Sequence, residues 1–299
     1  MSRALVYVQL QHNLLPCFWD SLRKARESWD GDIYLIAPRR ESGYAALEPA
    51  GVKFIAEDTV KDNLLEEYRA NTFFEKIHIG WDGFWDNACK RFMYLHWAHQ
   101  NLGITELLHI ETDVVPYMPL GEMFDAFASV YHGKLVFSPH ADTQLSCCTM
   151  YCNNPGAMEL FCREIVEYFK RGTAWFTKAY PSQAILNETH FAYTFWKEHP
   201  EHVDLLPTMP GEPHADTLGF LVDPTAWGMW VDGLHRTPGA RYAVEAHHVG
   251  HLILAGKYDI HFSFNRDQLS LPYVYDRITG KSMKLATLHF NSKRSERWI

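Results

Sequence analysis

The chain has 299 residues, 47% of them hydrophobic and 14% aromatic, enough for a large buried core and too apolar for a disordered protein. Its formal net charge is −8 and no Lys/Arg-rich block offsets it, which argues against nucleic acid as a partner. No apolar run reaches the roughly 18 residues that cross a bilayer, and the first ten residues lack the apolar stretch of a signal peptide.

In chain order, residues 4–10 are rich in β-formers and read as a first strand. Residues 17–29 follow as a helix with Phe18, Leu22 and Ala25 on its apolar face. Asp32 to Ala37 is a second strand ended by Pro38, and Val52 to Ala56 a third ended by Glu57-Asp58. Asp86 is expected to cap a helix that closes on Gly103. Residues 107–113, Leu-Leu-His-Ile-Glu-Thr-Asp, have the composition of a parallel strand buried on both faces. Lys134 to Ser138 and Cys147 to Cys152 are further strands. Asn154-Pro155 opens a helix in cap-then-proline order, with Leu160, Phe161, Ile165 and Phe169 inward and Gly172 at its end. Residues 182–196 read as helical. Beyond about residue 200 the pattern weakens into loops rich in Pro, Gly, Trp and His. No repeat and no linker interrupts the chain, so the expectation is one α/β domain over 1–299 with a mainly parallel central sheet and a ligand crevice at its carboxyl edge.

Four of the six cysteines (Cys17, Cys89, Cys147, Cys148, Cys152, Cys162) fall inside apolar strand or helix patterns and none forms a C-x-x-C pair. Buried free thiols and a reducing cytosol, of the organism or of a host cell if the source is viral, are therefore expected.

Glu111 and Asp113 stand at alternate positions where an apolar strand opens into a loop. Two carboxylates there suit Mg²⁺ or Mn²⁺, with a phosphorylated ligand supplying further oxygens. Leu288-His289-Phe290-Asn291-Ser292-Lys293 adds an imidazole able to complete the coordination and a lysine able to neutralise diphosphate; Leu285 to Phe290 is too apolar for a solvated tail. Gln183 and Asn187 share one helix face, with helix capping as the plain alternative. The run Phe220 to Gly228 ends on Asp223 and continues through Trp230, Asp232 and Gly233, a composition suited to sugars; Asp223-Pro224 is equally a helix start. His247, His248 and His251 form the densest histidine group and leave a zinc hydrolase open as an alternative. The absence of G-x-G-x-x-G, G-x-x-x-x-G-K-[ST] and G-x-S-x-G weakens dinucleotide, P-loop and α/β-hydrolase readings.

Taken in order, Lys90-Arg91-Phe92, His109-Ile110-Glu111-Thr112-Asp113-Val114, Tyr151-Cys152-Asn153-Asn154-Pro155, Phe220 to Gly228 and Leu288 to Lys293 resemble the motifs of GT-A fold glycosyltransferases. The likeness is to a poorly classified bacterial and large-virus group with H-x-E-x-D-V and a terminal L-H-x-x-S-K. The resemblance implies residues 1–115 as a nucleotide-binding half, and 116–299 as an acceptor-binding half with a C-terminal metal and diphosphate segment. It implies Asp113 and His289 as metal ligands, Glu111 supporting the metal or the donor ribose, Lys293 and Arg91 facing the diphosphate, and Gln9, Gln11 and Asp58 holding the nucleoside. The retaining transferases with a D-Q-x-x-L-N segment carry an Asp where this chain has Ser182. The expected activity is transfer of a sugar from a UDP- or GDP-linked donor to a carbohydrate or glycoconjugate hydroxyl, dependent on Mn²⁺ or Mg²⁺. Asp223 and Asp232, with Glu188 behind them, are the acceptor bases of an inverting enzyme, while Gln183 matters more in a retaining one. A sugar- or nucleotide-binding protein of the same fold without catalysis is the other alternative.

Overall fold

A computed structural model describes residues 2–10, 14, 16–39, 47–74, 83–179, 187–231, 249–265 and 268–290. The first strand, β1 (Arg3–Val8), sends Ala4, Val6 and Val8 into one apolar cluster and Leu5 and Tyr7 into another. Its near-continuous apolar sequence follows from that burial on both faces. β1 pairs in parallel with β2 (Asp32–Ala37), and β2 pairs in parallel with β3 (Val52–Ala56). On its other side β1 takes β4 (Glu106–Ile110), again parallel. Beyond β4 lies β7 (Gln144–Cys152), antiparallel to β4 and to β6 (Leu135–Ala141), while β6 pairs in parallel with β8 (Val203–Leu205). The order β3-β2-β1-β4-β7-β6-β8 therefore has one reversed strand in a mainly parallel seven-stranded sheet. The carboxyl ends of β1, β2, β3, β4, β6 and β8 share one edge.

Helices cover both faces. α1 (Pro16–Ser28) buries Phe18, Leu22 and Ala25 as its spacing predicts, beside α4 (Leu120–Val130). The opposite face is covered by α2 (Asn63–Asn71), α3 (Phe84–Asn101), α5 (Pro155–Arg171), α6 (Thr173–Ala179) and α7 (Glu188–Glu198). In α5 the Asn154 side chain accepts from the Gly156 and Ala157 amides, at 3.0 and 3.3 Å. Phe161 and Ile165 are fully buried beneath it, each contributing about 2–3 kcal/mol of transfer free energy. All six cysteines are buried free thiols. Among the described residues, no helix is long and apolar enough to cross a membrane.

Two expectations are corrected. Asp86 does not cap α3. Gly83, at φ 70°, occupies the cap position, and the buried Asp86 carboxylate instead accepts from Tyr68 and Thr72 hydroxyls, both at 2.9 Å. A long-range pair of donors outcompetes the local capping role. The C-terminal third is also more regular than its pattern implied. Short β5 (Val114–Pro116) pairs antiparallel with β13 (Thr287–His289). After α8 (Ala215–Leu218), strand β9 (Phe220–Leu221) joins β10 (Tyr258–Asn265), β11 (Gln268–Asp276) and β12 (Ser282–Leu285) in a four-stranded sheet ordered β10-β11-β12-β9. β9 has two residues and β12 four, too few for a period of two to register.

Candidate active site

β4 hands the chain to the site through a dry interior. His109, fully buried, donates from Nδ1 to the Val6 carbonyl at 2.8 Å, and burial lowers its pKa to about 4, so it stays neutral. The chain then turns sharply: the Glu111 amide bonds Cys148 O at 2.9 Å and the Val114 amide returns to Glu111 O at 3.0 Å. Beyond the turn β5 is met by β13, with His289 opposite Val114 and the Phe290 amide on Asp113 O at 2.9 Å. This pairing carries His289 across 176 positions to the carboxylates. His289 Nε2 lies 3.0 Å from Asp113 Oδ2 and 3.6 Å from Glu111 Oε2. One ligand atom from each of the three residues falls within 4.8 Å of the others.

The surrounding charges hold these groups in place. Arg91, buried on α3, pairs with Glu111 Oε1 and reaches Glu188 Oε1 at 3.3 Å. Burial pushes the Glu111 carboxyl up, but Arg91 and then His289 outweigh it and hold the pKa near 2. For Glu188 burial dominates over Arg91 and lifts the carboxyl to about 7. Burial would lower His289, yet the Cys148 sulfur, Glu111 and Asp223 raise it to about 9. Its Nδ1 lies 3.2 Å from the Thr225 hydroxyl, on a residue held at φ 95°, a strained backbone for a β-branched side chain.

Asp223 is fully buried. Its Oδ1 accepts from the Trp227 amide at 3.0 Å, and Oδ2 from the Gly228 and His289 amides at 2.9 and 2.8 Å. Burial raises its pKa to about 6 against these donors. The turn into α9 (Ala226–Val231) brings Gly228 so close that an added Cβ would stand 1.9 Å from His289 O. Only glycine fits there.

Gln9 follows β1 and its Oε1 accepts from Thr112, between the two site carboxylates, at 3.0 Å. Asp58 follows β3, is exposed, and lies 3.8 Å from Arg39; Arg39, Phe54 and Thr59 line an open cleft of about 420 Å³ there. Gln11, Gln183, Asp232, Lys293, His247 and His248 lie outside the described residues, as does the His251 side chain. Asn187 is the N-cap of α7. Glu164, Glu198 and His199 also cluster, but on the outer helices, where Arg171 lies 3.8 and 3.6 Å from the two carboxylates, the pattern of a solvated ion-pair patch.

Thr225 and His140 were not singled out by sequence. His140 Nδ1 donates to Pro224 O at 2.9 Å beside the site, and burial lowers its pKa to about 4. It ends an apolar strand, the same signal that marked Glu111. Thr225 carries no such signal.

No protein-family profile matches this chain, and no curated protein sequence matches it. Among solved structures it is similar to apo mouse xyloside xylosyltransferase 1, at 12% identity over 73% of this chain and 91% of that one, with a TM-score of 0.42. It is also similar to galactosyltransferase LgtC in complex with donor and acceptor sugar analogues, at 12% identity, 72% and 82% coverage and a TM-score of 0.46. Glycosyltransferase GlyE of Streptococcus pneumoniae TIGR4 gives 10% identity, 69% and 45% coverage and a TM-score of 0.39. At scores this low the functional reading rests on the site geometry.

Proposed function

We propose that the chain is a GT-A type glycosyltransferase that moves a sugar from a nucleoside-diphosphate donor to a hydroxyl of a carbohydrate or glycoconjugate acceptor, with a divalent cation, Mn²⁺ or Mg²⁺. The observation that carries this reading is the Glu111–Asp113–His289 cluster at the carboxyl edge of a mainly parallel sheet, the edge where such sheets bind nucleotides. The donor set fits the cation. Two carboxylate oxygens and one imidazole nitrogen converge, and Arg91 takes the far oxygen of Glu111, leaving Oε2 turned toward His289.

When bound, the cation would neutralise charge developing on the leaving diphosphate, and Asp113, Glu111 and His289 would hold it. His289, held protonated by its surroundings, would give up its Nε2 proton on binding the cation, with Nδ1 donating to Thr225, the partner-set tautomer usual for metal-binding histidines. Arg91 fixes the Glu111 rotamer and adds positive potential for the diphosphate, a task Lys293 shares. Gln9 orients Thr112 between the ligands, and with Asp58 and Gln11 it serves the nucleoside along the ends of β1 and β3. Asp223 braces the strand carrying His289, because both its oxygens are committed to backbone N–H groups. Deprotonation of the acceptor then falls to another group, with Asp232 as the remaining aspartate and Gln183 the partner of a retaining route.

A thermal-shift titration with UDP and GDP, with and without Mn²⁺, tests the reading. One nucleotide should raise the melting temperature by about 5 °C at ~100 times its Kd, and only with the metal. A shift that Asp113→Ala leaves unchanged, or one that needs no metal, overturns it.

A further inference from the structure

A second cleft, of about 460 Å³, opens where β6 and β8 end and α7 crosses them. Its volume lies within the ~300–1,000 Å³ of ligand pockets. α7 contributes two half-buried rings, Tyr193 and Trp196, packed edge-on with centroids 5.8 Å apart. The exposed Lys197 ammonium lies over Trp196 at 4.0 Å and Tyr193 at 5.3 Å, and a ligand stacking on those faces must displace it. Asp142 and Asp204 also line the cleft, Asp204 accepting from the Leu205 amide through Oδ1 at 2.8 Å, together with the buried Leu145. β6 and β8 run parallel to β4, so this cleft shares the edge that carries Glu111 and Asp113. Its nearest lining residue, Leu145, is on β7 beside β4, four positions past the Thr149 partner of Ile110, about 13 Å along the strand.

We propose that this cleft is a subsite for a neutral oligosaccharide, gripping acceptor units beyond the one that reacts. The inference rests on the reading of the Glu111–Asp113–His289 edge as a transfer centre. Ring faces stack on the C–H surface of a sugar, carboxylates accept from its hydroxyls, and an ammonium donates to them. An anionic glycan is disfavoured because the two aspartates and the nearby Glu212 outnumber one lysine. A cationic peptide satisfies the charge yet leaves the shared edge unexplained. A cleft displaced by about 13 Å along the strand from the end of β4 calls for a chain of sugars rather than a monosaccharide.

Isothermal titration of the full chain with maltotriose, cellotriose, xylotriose, sialyllactose and trilysine, without metal or nucleotide, tests this. A neutral trisaccharide should bind at roughly millimolar Kd and sialyllactose more weakly. Trp196→Ala should weaken binding at least tenfold and Asp142→Asn about threefold, with Trp196→Phe restoring most of it and each variant still unfolding cooperatively. Asp113→Ala should leave it intact. Binding that survives Trp196→Ala, a preference for trilysine, or no binding by any neutral trisaccharide overturns the proposal. Trisaccharide binding without the metal-dependent nucleotide shift counts against the transfer reading alone.

Discussion

At the end of β4 the chain leaves its sheet on Glu111 and Asp113; just after β9 it leaves on Asp223. In sequence both places are apolar runs stopped by a carboxylate. In space Asp113 meets other side chains, His289 at 3.0 Å among them, while Asp223 meets three backbone amides within 3.0 Å. Amides fixed by a helix start and a strand cannot move aside for a ligand, so Asp223 is spent on holding the fold. The partners of Glu111 and Asp113 are the side chains of Arg91 and His289, which can swing away or lose a proton where fixed amides cannot, so this end has partners that can be exchanged. Burial alone does not separate a structural acid from a functional one; the identity of its donors does.

The largest effect expected from this contrast is on stability. Asp223→Ala strands three buried N–H groups and should cost about 4 kcal/mol in denaturant unfolding; a loss under ~1 kcal/mol breaks the comparison. Asp113→Ala should do the reverse. It leaves metal-free stability within about 1 kcal/mol but lowers sugar transfer at least ~100-fold, about 3 kcal/mol of transition-state stabilisation, measured with the donor that the nucleotide titration identifies.

The third effect separates the dry interior from the charged site. His99 is 3% exposed and burial lowers its pKa from 6.5 to about 4. Between those values the unfolded chain binds a proton that the folded chain refuses, so stability falls as pH drops from 6.5 to 4. His99→Phe should flatten that fall by on the order of 2 kcal/mol, read from unfolding curves at pH 7 and pH 4.5; an unchanged slope assigns the pH dependence elsewhere. The smallest effect is Thr225→Gly. Relief of the positive φ should stabilise the fold by up to ~1 kcal/mol, while loss of the hydroxyl beside His289 weakens Mn²⁺ binding about tenfold. Equal metal affinity in the variant removes Thr225 from the site.

Much of the central sheet was legible because β1, β2 and β4 are buried nearly throughout and read as apolar runs. Asp32–Ala37 and Val52–Ala56 begin and end where their composition changes, and Asn154-Pro155 marks the start of α5 to the residue. The direction of β7 was not legible, since an apolar run looks the same read either way. Neither was the work of Asp86, whose partners Tyr68 and Thr72 belong to another part of the chain. The β4 carboxylates were visible as a pair at a strand end. The environment that distinguishes them from Asp223 was not, because Thr225, Gly228 and His289 meet only after β5 and β13 pair.

The pairing of β5 with β13 also has a consequence for synthesis. β5 emerges from the ribosome about 170 residues before its partner, so the seven-stranded sheet can assemble while Glu111 and Asp113 still lack their imidazole. Because closure entropy grows only with the logarithm of length, this late closure costs on the order of 2–3 kcal/mol more than a short loop. A nascent chain would therefore fold its sheet first and bring His289 to the two carboxylates only after residue 289 had left the exit tunnel.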